Sequence, residues 1–325
     1  MSSLDRIDEI KNKIEDELEK FIPLKTPVSL YEPMRYALTS GGKRLRPVLV
    51  VLASEMVGGN INDSLYAAIA VELLHNFTLV HDDIMDQDDL RRGRVTVHKK
   101  WNESVAILSG DGLLALAYES LLRIRSPQIQ LISTYFTQAL LEVCEGQALD
   151  SEFENREQVG LNEYFLMIEK KTAKLFAMSC QIGALCGGGS LEEAEKLSGF
   201  GGLLGRAFQI QDDLLDITSD EKILGKNFGS DIRQGKKTYL LLHALNNADR
   251  NDRARIHEIL NFRKAGEAQA QEIQQIFKRS GTIDTAKQEI SNALELARES
   301  LNSFSESNAR RIFTDLVDKL ANRNY

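Results

Sequence analysis

The chain has 325 residues, a formal net charge of −8 and 42% hydrophobic residues. This length and apolar content are sufficient for one large core, and the acidic balance argues against nucleic acid as a partner. The charged amino terminus lacks the apolar segment of a signal peptide, and even the apolar stretch 65–80 contains Glu72, His75 and Asn76, so we expect no membrane span.

Helices are predicted along most of the chain. Apolar residues in the first 21 positions recur every three or four residues, which is typical of an amphipathic helix. The glycine pair at 41–42 breaks the chain before Pro47 opens another helix. The stretch 63–81 is apolar on most sides and is predicted to be a buried central helix.

The rest of the chain continues this pattern. Further helices are predicted over about 104–125, 128–150, 161–186 and 191–217. The last third, about 238–322, favours shorter and more polar helices, and we find no alternating strand pattern and no linker. The sequence therefore predicts an all-α protein with a single domain over 1–325, a large helical bundle around a central cavity.

Three cysteines give an expectation about compartment. They are odd in number, lie among apolar neighbours and lack the paired spacing of metal ligands: Cys144, Cys180 and Cys186. We expect reduced core residues in a cytoplasmic protein.

Two aspartate clusters with the same spacing stand at the ends of long apolar stretches. They are Asp82-Asp83-Ile84-Met85-Asp86 and Asp212-Asp213-Leu214-Leu215-Asp216. In a helix, the first and last aspartate of each cluster lie one turn apart on one face, so their oxygens converge. Such oxygen sets suit a hard divalent cation, Mg²⁺ first, although a solvated acidic helix end remains an alternative.

Arginines follow the first cluster, as Arg91-Arg92-Gly93. Guanidinium groups match phosphate oxygens bidentately, and Mg²⁺ commonly bridges a few carboxylates to a substrate phosphate. The combination predicts a diphosphate site, with a structural salt-bridge network as the alternative.

These residues resemble the motifs of the trans-isoprenyl diphosphate synthases, the head-to-tail prenyltransferases of isoprenoid biosynthesis. Residues 82–93 resemble the family's first aspartate-rich motif, DDxxDxxxxRRG, and 208–216 resemble the second, FQxxDDxxD. The segment 41–47 is similar to GGKRxRP, the pair at 171–172 matches KT, and 225–236 resembles the GKxxGxD and GK loop. The matches follow the family's order from about residue 40 to 240.

The resemblance implies the isoprenoid synthase fold and Mg²⁺-dependent addition of isopentenyl diphosphate to dimethylallyl, geranyl or farnesyl diphosphate, with three Mg²⁺ ions per site. Asp82 and Asp86 would bind metal directly, Asp83 directly or through water, and Asp212 would hold the third ion with Asp213 and Asp216 in support. The resemblance assigns the allylic diphosphate to Arg91, Lys171, Gln209, Lys226 and Lys236. The catalytic set it implies is Asp82, Asp83, Asp86, Arg91, Lys171 and Asp212.

Isopentenyl diphosphate carries no metal in this family and needs a basic pocket. The match assigns Lys43, Arg46 and Arg92 to it, with His75 as an additional donor. A solvated basic turn and a satisfied core histidine are the alternatives for these residues. The proton lost on coupling could go to the released diphosphate, so no protein base is required.

Phe77 and Thr78 precede the first motif by five and four residues, toward the cavity floor. In the family, bulky aromatics here block elongation, and this pair resembles short-chain enzymes that stop at geranylgeranyl diphosphate, C20. Ordinary core packing is the alternative reading of both residues. Farnesyl (C15) or longer products remain open, and so does the role of Arg323 near the terminus, where some farnesyl-producing members have a basic tail.

Three other functions are weighed against this one. A terpene cyclase would carry an Asn/Ser/Glu pattern in its second metal motif, and a silent partner subunit would be expected to have lost one aspartate cluster. A helical scaffold would not explain paired acidic and basic clusters. The resemblance also implies a homodimer.

Overall fold

The computed structural model describes residues 2–22, 25–218, 229–261 and 266–322. Helices dominate these ranges, and the strands within them form one antiparallel pair, Leu90–Arg91 with Arg94–Val95. The prediction of an all-α protein is confirmed. Two of the residues considered above, Lys226 and Arg323, lie outside the described residues.

The chain divides into two compact units. The first contains Met1–Leu140, Leu175–Gly199 and Ser303–Asp315, and the second contains Leu141–Lys174, Phe200–Asn302 and Leu316–Tyr325. The expectation of one domain over 1–325 stays a prediction.

The helices of the first unit surround one buried helix. They are Ser3–Phe21, Val28–Leu38, Leu45–Met56, Ile61–Met85, Val97–Lys100 and Glu103–Leu121. The Ile61–Met85 helix contacts all five of the others, chiefly Glu103–Leu121 and Leu45–Met56. Its residues from Ala67 to Leu74 are at most 2% exposed, as the unbroken apolar stretch predicts.

Four helices extend across the limits of the two units: Ile129–Glu154, Lys174–Cys186, Leu191–Thr218 and Asn308–Ala321. The helices within the second unit are Leu161–Ile168, Ser230–Gln234, Tyr239–Asn247, Arg250–Asn261, Glu267–Arg279 and Thr282–Ser300. In this unit Tyr239–Asn247 lies against Leu161–Ile168 and Thr282–Ser300. The predicted shorter carboxy-terminal helices are therefore present, although Thr282–Ser300 has 19 residues.

One expectation about the cysteines is wrong. Cys180 and Cys186 are buried, and burial raises the pKa of the Cys186 thiol to about 12, but Cys144 is exposed. Cys144 lies on an outward face of the Ile129–Glu154 helix, which the apolar neighbours in the sequence did not reveal.

One helix among the described residues, Glu103–Leu121, is long and apolar enough to span a membrane, and 39% of its most apolar window is buried inside the protein. Glu103, Asp111 and Glu119 interrupt its apolar sequence. It also contacts Ile61–Met85 and Val28–Leu38, as a core helix does. The expectation of no membrane span stays a prediction.

Candidate active site

The first aspartate motif ends the Ile61–Met85 helix. Asp86 is the C-cap residue, and its N–H donates to the carbonyl of Asp82 at 2.8 Å, so the two residues lie one turn apart as predicted. Both side chains are half-buried. The last turn has no basic residue, so carboxylates add to the partial negative charge of the helix end. This arrangement attracts a cation.

Asp83, between them, is 4% exposed and is engaged by an arginine. Arg91 Nε donates to Asp83 Oδ1, and Arg91 Nη2 donates to Asp88 Oδ2 at 3.2 Å. Burial raises the pKa of the Asp83 carboxyl to about 6, against the lowering effect of Arg91. Arg91 therefore holds this carboxylate in place.

The RRG sequence forms the turn of the short hairpin. Arg92 and Gly93 have φ values of 53° and 72°, the left-handed conformation that both central residues of a type I′ turn require. Glycine adopts this conformation without strain. Arg92 Nη1 donates to the carbonyl of Gly41, so the hairpin connects the acidic motif to the GGKRLRP turn.

Within the GGKRLRP turn, Arg44 is 6% exposed and serves the fold. Its Nη1 donates to Glu72 Oε1 at 2.5 Å and its Nη2 to the carbonyl of Leu38 at 2.6 Å, while Asn76 Nδ2 donates to the same Glu72 oxygen at 2.9 Å. Removing one partner of such a buried pair leaves an uncompensated charge. The solvated-turn alternative therefore does not describe Arg44. Sequence reasoning missed Glu72, whose signal was a single acid in an apolar stretch.

Arg46 and His75 meet in the same unit. Arg46 Nη1 lies 3.2 Å from His75 Nε2, and its guanidinium lies 4.5 Å above the centre of the Phe176 ring. Burial lowers the pKa of His75 well below its usual 6.5, and guanidinium groups lower it further: those of Arg46, Arg92, Arg91 and Arg44. Because arginine cannot accept a hydrogen bond, Nε2 of the neutral ring is the acceptor and Nδ1 carries the proton.

The result is a basic cluster around a neutral histidine that has one N–H to donate. Lys43 is exposed on the adjoining turn. Such a cluster suits an anion that brings no metal with it.

The second aspartate motif lies in the second unit, in the last turns of the Leu191–Thr218 helix, where again no basic residue occurs. Asp212 is exposed, whereas Asp213 and Asp216 are 4% and 6% exposed. Asp216 accepts from Ser230 Oγ at 2.8 Å and from the N–H of Asp231 at 3.1 Å. It therefore holds the first turn of the Ser230–Gln234 helix.

Asp213 accepts three hydrogen bonds. They come from Tyr164 OH at 2.7 Å, Gln209 Nε2 at 2.9 Å and the N–H of Tyr239 at 3.1 Å. Burial raises the pKa of Asp213 to about 6, and these donors lower it in part. Asp212 is thus the exposed carboxylate of this motif, whereas Asp213 and Asp216 are buried.

The KT pair interrupts a helix. Residues Glu169–Ala173 form a π-helical turn, a feature frequent at functional sites. Lys171 Nζ donates to Asp150 Oδ2 at 2.6 Å, and Thr172 Oγ1 donates to Gln209 Oε1 at 2.8 Å. Gly146 permits this approach, because a Cβ there would lie 2.7 Å from the Cα of Lys171. Sequence reasoning missed Asp150 and the hydrogen bond of Thr172, which only tertiary contact reveals.

Lys236 follows the short helix that Asp216 holds. Gly235 ends that helix with a φ of 70°, and the N–H of Lys236 donates to the carbonyl of Asp231 at 2.9 Å. The segment 230–239 is therefore held by the second motif at both ends. Asp216 accepts hydrogen bonds from Ser230 and Asp231, and Asp213 accepts one from the N–H of Tyr239.

The two residues predicted to limit chain length lie on the central helix. Phe77 is 9% exposed, and its ring meets that of His81 edge-on, with 4.7 Å between centres. Thr78 Oγ1 donates to the carbonyl of His75 at 2.8 Å. Both side chains are tied into their surroundings.

The exposed and half-buried aspartates fit a metal ion whose coordination shell is completed by the substrate. Among the described residues, no group of three or more His, Cys, Asp and Glu is placed to hold an ion by itself. Mg²⁺ is commonly bound by one or two carboxylates, with water and substrate phosphate filling the remaining positions. Asp82 and Asp86 in the first unit could contribute carboxylates in this way, and so could Asp212 in the second.

Comparison with known proteins gives consistent results. Residues 27–279 match the family model of polyprenyl synthetase. The chain is 39% identical to a geranylgeranyl diphosphate synthase from Methanosarcina mazei, with 98% of each chain aligned, and 37% identical to a geranylfarnesyl diphosphate synthase from Natronomonas pharaonis, with 100% of each aligned. It is also similar to the crystal structure of geranylgeranyl pyrophosphate synthetase from Pyrococcus horikoshii, with a TM-score of 0.94, 40% identity, and coverage of 99% of this chain and 98% of that one.

Proposed function

Because the chain belongs to the polyprenyl synthetase family and is a trans-prenyltransferase, we propose that it adds isopentenyl units to allylic diphosphates and stops at geranylgeranyl diphosphate, C20. Two of the similar proteins described above carry that name, and a third is named for the next longer product, so farnesyl or longer products are the alternative. A silent partner subunit is the other alternative. The presence of both aspartate motifs argues against it.

The observation that carries the proposal is the hairpin between the acidic motif and the basic cluster. Arg91 is paired with Asp83, and its neighbour Arg92 reaches the carbonyl of Gly41 in the GGKRLRP turn. One short element thus sets an acidic, cation-attracting helix end beside a basic cluster. Such an arrangement suits two diphosphates, one that binds together with metal ions and one that binds without them.

On the allylic side, the chain's residues bind and orient the leaving group. Lys171 donates one hydrogen bond to Asp150 and has further N–H groups for the diphosphate. Lys226 and Lys236 bind the same diphosphate. Arg91 holds Asp83 through Nε and has further N–H groups to donate. Asp82 and Asp86 in the first motif and Asp212 in the second would hold Mg²⁺, with Asp83, Asp213 and Asp216 in support. The metal would supply positive charge that neutralises the departing diphosphate.

Isopentenyl diphosphate binds at the basic residues of the first unit: Lys43, Arg46, Arg92 and the Nδ1–H of His75. The allylic C–O bond breaks and its electron pair leaves with the diphosphate. The double bond of isopentenyl diphosphate then attacks the allylic cation to form the new C–C bond. The proton lost afterwards passes to the released diphosphate, so no side chain has to act as a base.

We also propose a homodimer in the cytoplasm. Ile107 and Leu108 are 46% and 59% exposed on the Glu103–Leu121 helix, and a second copy would cover such an apolar face.

A product-length assay tests the function. Purified protein, Mg²⁺ and labelled isopentenyl diphosphate are incubated with dimethylallyl, geranyl or farnesyl diphosphate in turn, and the chains are separated after removal of phosphate. A dominant C20 product from each starter is expected. A dominant C15 product, or C30 and longer products, would contradict the chain length. Absence of Mg²⁺-dependent coupling with every starter would contradict the reaction.

A further inference from the structure

A hydrogen-bond network surrounds Asp213 in the second unit. Tyr164 is 1% exposed and Asp213 is 4% exposed, and the tyrosine hydroxyl donates to Asp213 Oδ2 at 2.7 Å. Gln209 Nε2 donates to Asp213 Oδ1 at 2.9 Å, and Thr172 Oγ1 donates to Gln209 Oε1 at 2.8 Å. The network therefore runs from a deeply buried phenol to the KT pair.

The chemistry of these groups fixes the direction of every bond. An ionised carboxylate only accepts, so Tyr164 must donate to Asp213 and Gln209 must present its NH₂ group. The amide oxygen of Gln209 then faces Thr172, whose hydroxyl donates to it. Among the described residues, the second N–H of Gln209 Nε2 has no partner.

Asp213 has little capacity left for other partners. Both of its oxygens accept hydrogen bonds, and the N–H of Tyr239 shares Oδ2 with Tyr164 at 3.1 Å. Asp212, the neighbouring residue, is exposed. Burial removes the carboxylate from solvent, which is costly unless hydrogen bonds compensate. The three donors compensate for this loss, and their directions fix the carboxylate in one orientation.

We propose that Tyr164 is a positioning residue for the prenyl transfer. Through Asp213 it fixes the Gln209 amide so that the remaining N–H donates to the allylic diphosphate, and Asp213 acts as an anchor while Asp212 binds the metal. This inference rests on the proposed function, since it specifies how one side chain of that site is oriented.

The variants Tyr164→Phe and Gln209→Ala test it, with Tyr118→Phe as a matched control. Tyr118 also loses a hydroxyl contact, to Thr137 Oγ1 at 3.1 Å, but in the first unit. Loss of an oriented hydrogen bond to a charged group is expected to raise KM for the allylic diphosphate about tenfold in either variant. KM for isopentenyl diphosphate and the Mg²⁺ concentration for half-maximal rate should not change.

The double variant separates positioning from a general structural role. If Tyr164 acts through Gln209, Tyr164→Phe adds nothing in the Gln209→Ala background, whereas equal effects in both backgrounds would overturn the proposal. A Tyr164→Phe protein with the parent's KM would also overturn it. Thermal unfolding of each variant shows whether it folds, and if Tyr164→Phe does not, Asp213→Asn takes its place in the same double-variant comparison.

Binding without turnover gives an independent readout. Calorimetry with inorganic diphosphate and Mg²⁺ should show about tenfold weaker binding of the anion to Tyr164→Phe, with the same number of ions taken up. Asp213→Asn should also retain the parent's Mg²⁺ stoichiometry, and loss of one ion would mean that Asp213 is itself a ligand. A parent protein that makes no prenyl product would refute the proposed function instead, so the two failures are distinguishable.

Discussion

Asp82 lies at the negative end of the Ile61–Met85 helix, where the helix dipole disfavours a carboxylate. Asp82→Asn should therefore raise the melting temperature of the metal-free protein by about 1–2 °C, because it removes about 0.3–1 kcal/mol of repulsion. It should also lower kcat about 100-fold or more, as loss of a preorganised electrostatic partner commonly does. Thermal unfolding in EDTA and steady-state rates in Mg²⁺ measure the two effects.

The control is Glu299→Gln, at the exposed carboxyl end of the Thr282–Ser300 helix. It should stabilise to a similar degree and keep full activity. If Asp82→Asn stays active, or destabilises the metal-free protein, the carboxylate has another role.

His75 gives the protein a dependence on pH. Burial and four arginines lower its pKa in the folded state well below 6.5. At pH values between the folded-state and unfolded-state pKa of His75, the unfolded chain binds more protons than the folded one. The contribution of His75 to the free energy of unfolding is therefore fully present above about pH 6.5 and is lost as the pH falls below that value. His75→Gln should remove this part of the acid destabilisation.

Melting temperatures of parent and His75→Gln between pH 8 and 5 test this. The difference between the two curves should change in the variant's favour on acidification. A His75→Gln curve that runs parallel to the parent's would mean that His75 has an ordinary pKa in the folded protein.

At the level of elements, the central helix aligns the two residues proposed to set chain length with the first aspartate motif. Thr78 is four residues before Asp82 and shares its face, whereas Phe77 is rotated toward His81. Phe77→Ala should open the floor and lengthen the product beyond C20, and Thr78→Phe should place a ring one turn below Asp82 and shorten it to C15. Chain lengths from labelled isopentenyl diphosphate measure both.

Leu296→Ala, on an exposed helix face of the second unit, is the control and should leave the product unchanged. If Phe77→Ala and Thr78→Phe both give the parent's product, neither residue forms the floor.

Periodicity predicts helices well in this chain because most of them are long and amphipathic or wholly buried. The hairpin at Leu90–Val95 was not predicted, since strands of two residues show no alternation; the only local signal was Gly93 after two arginines. The break at Glu169–Ala173 was also not predicted, because a π-helical turn keeps the helical pattern of apolar residues.

Site residues follow the same rule. Motif spacing located the aspartates and basic residues that we propose meet substrate, but not the partners that hold them. Glu72, Asp150 and Tyr164 come from helices distant in sequence from the residues they contact. Their roles depend on tertiary contacts, and the local sequence pattern around each residue does not reveal such contacts.

For the whole molecule, the proposed homodimer makes a prediction about the Glu103–Leu121 helix. Leu108→Glu would bury a charge against an apolar partner, so it should convert the dimer to monomer. Light scattering coupled to gel filtration measures the mass. Leu296→Glu, at a residue 53% exposed on the Thr282–Ser300 helix, should remain dimeric. A parent that is monomeric at micromolar concentration would contradict the proposal.

The central claim is that the two aspartate motifs act on one diphosphate. The most direct measurement is a crystal structure with Mn²⁺ in place of Mg²⁺ and an unreactive thio analogue of farnesyl diphosphate, with the metals located by anomalous scattering. The account predicts metal ions that join Asp82 and Asp86 on one side, and Asp212 on the other, to the same diphosphate. Motifs that face separate regions of solvent and share no anion would contradict it.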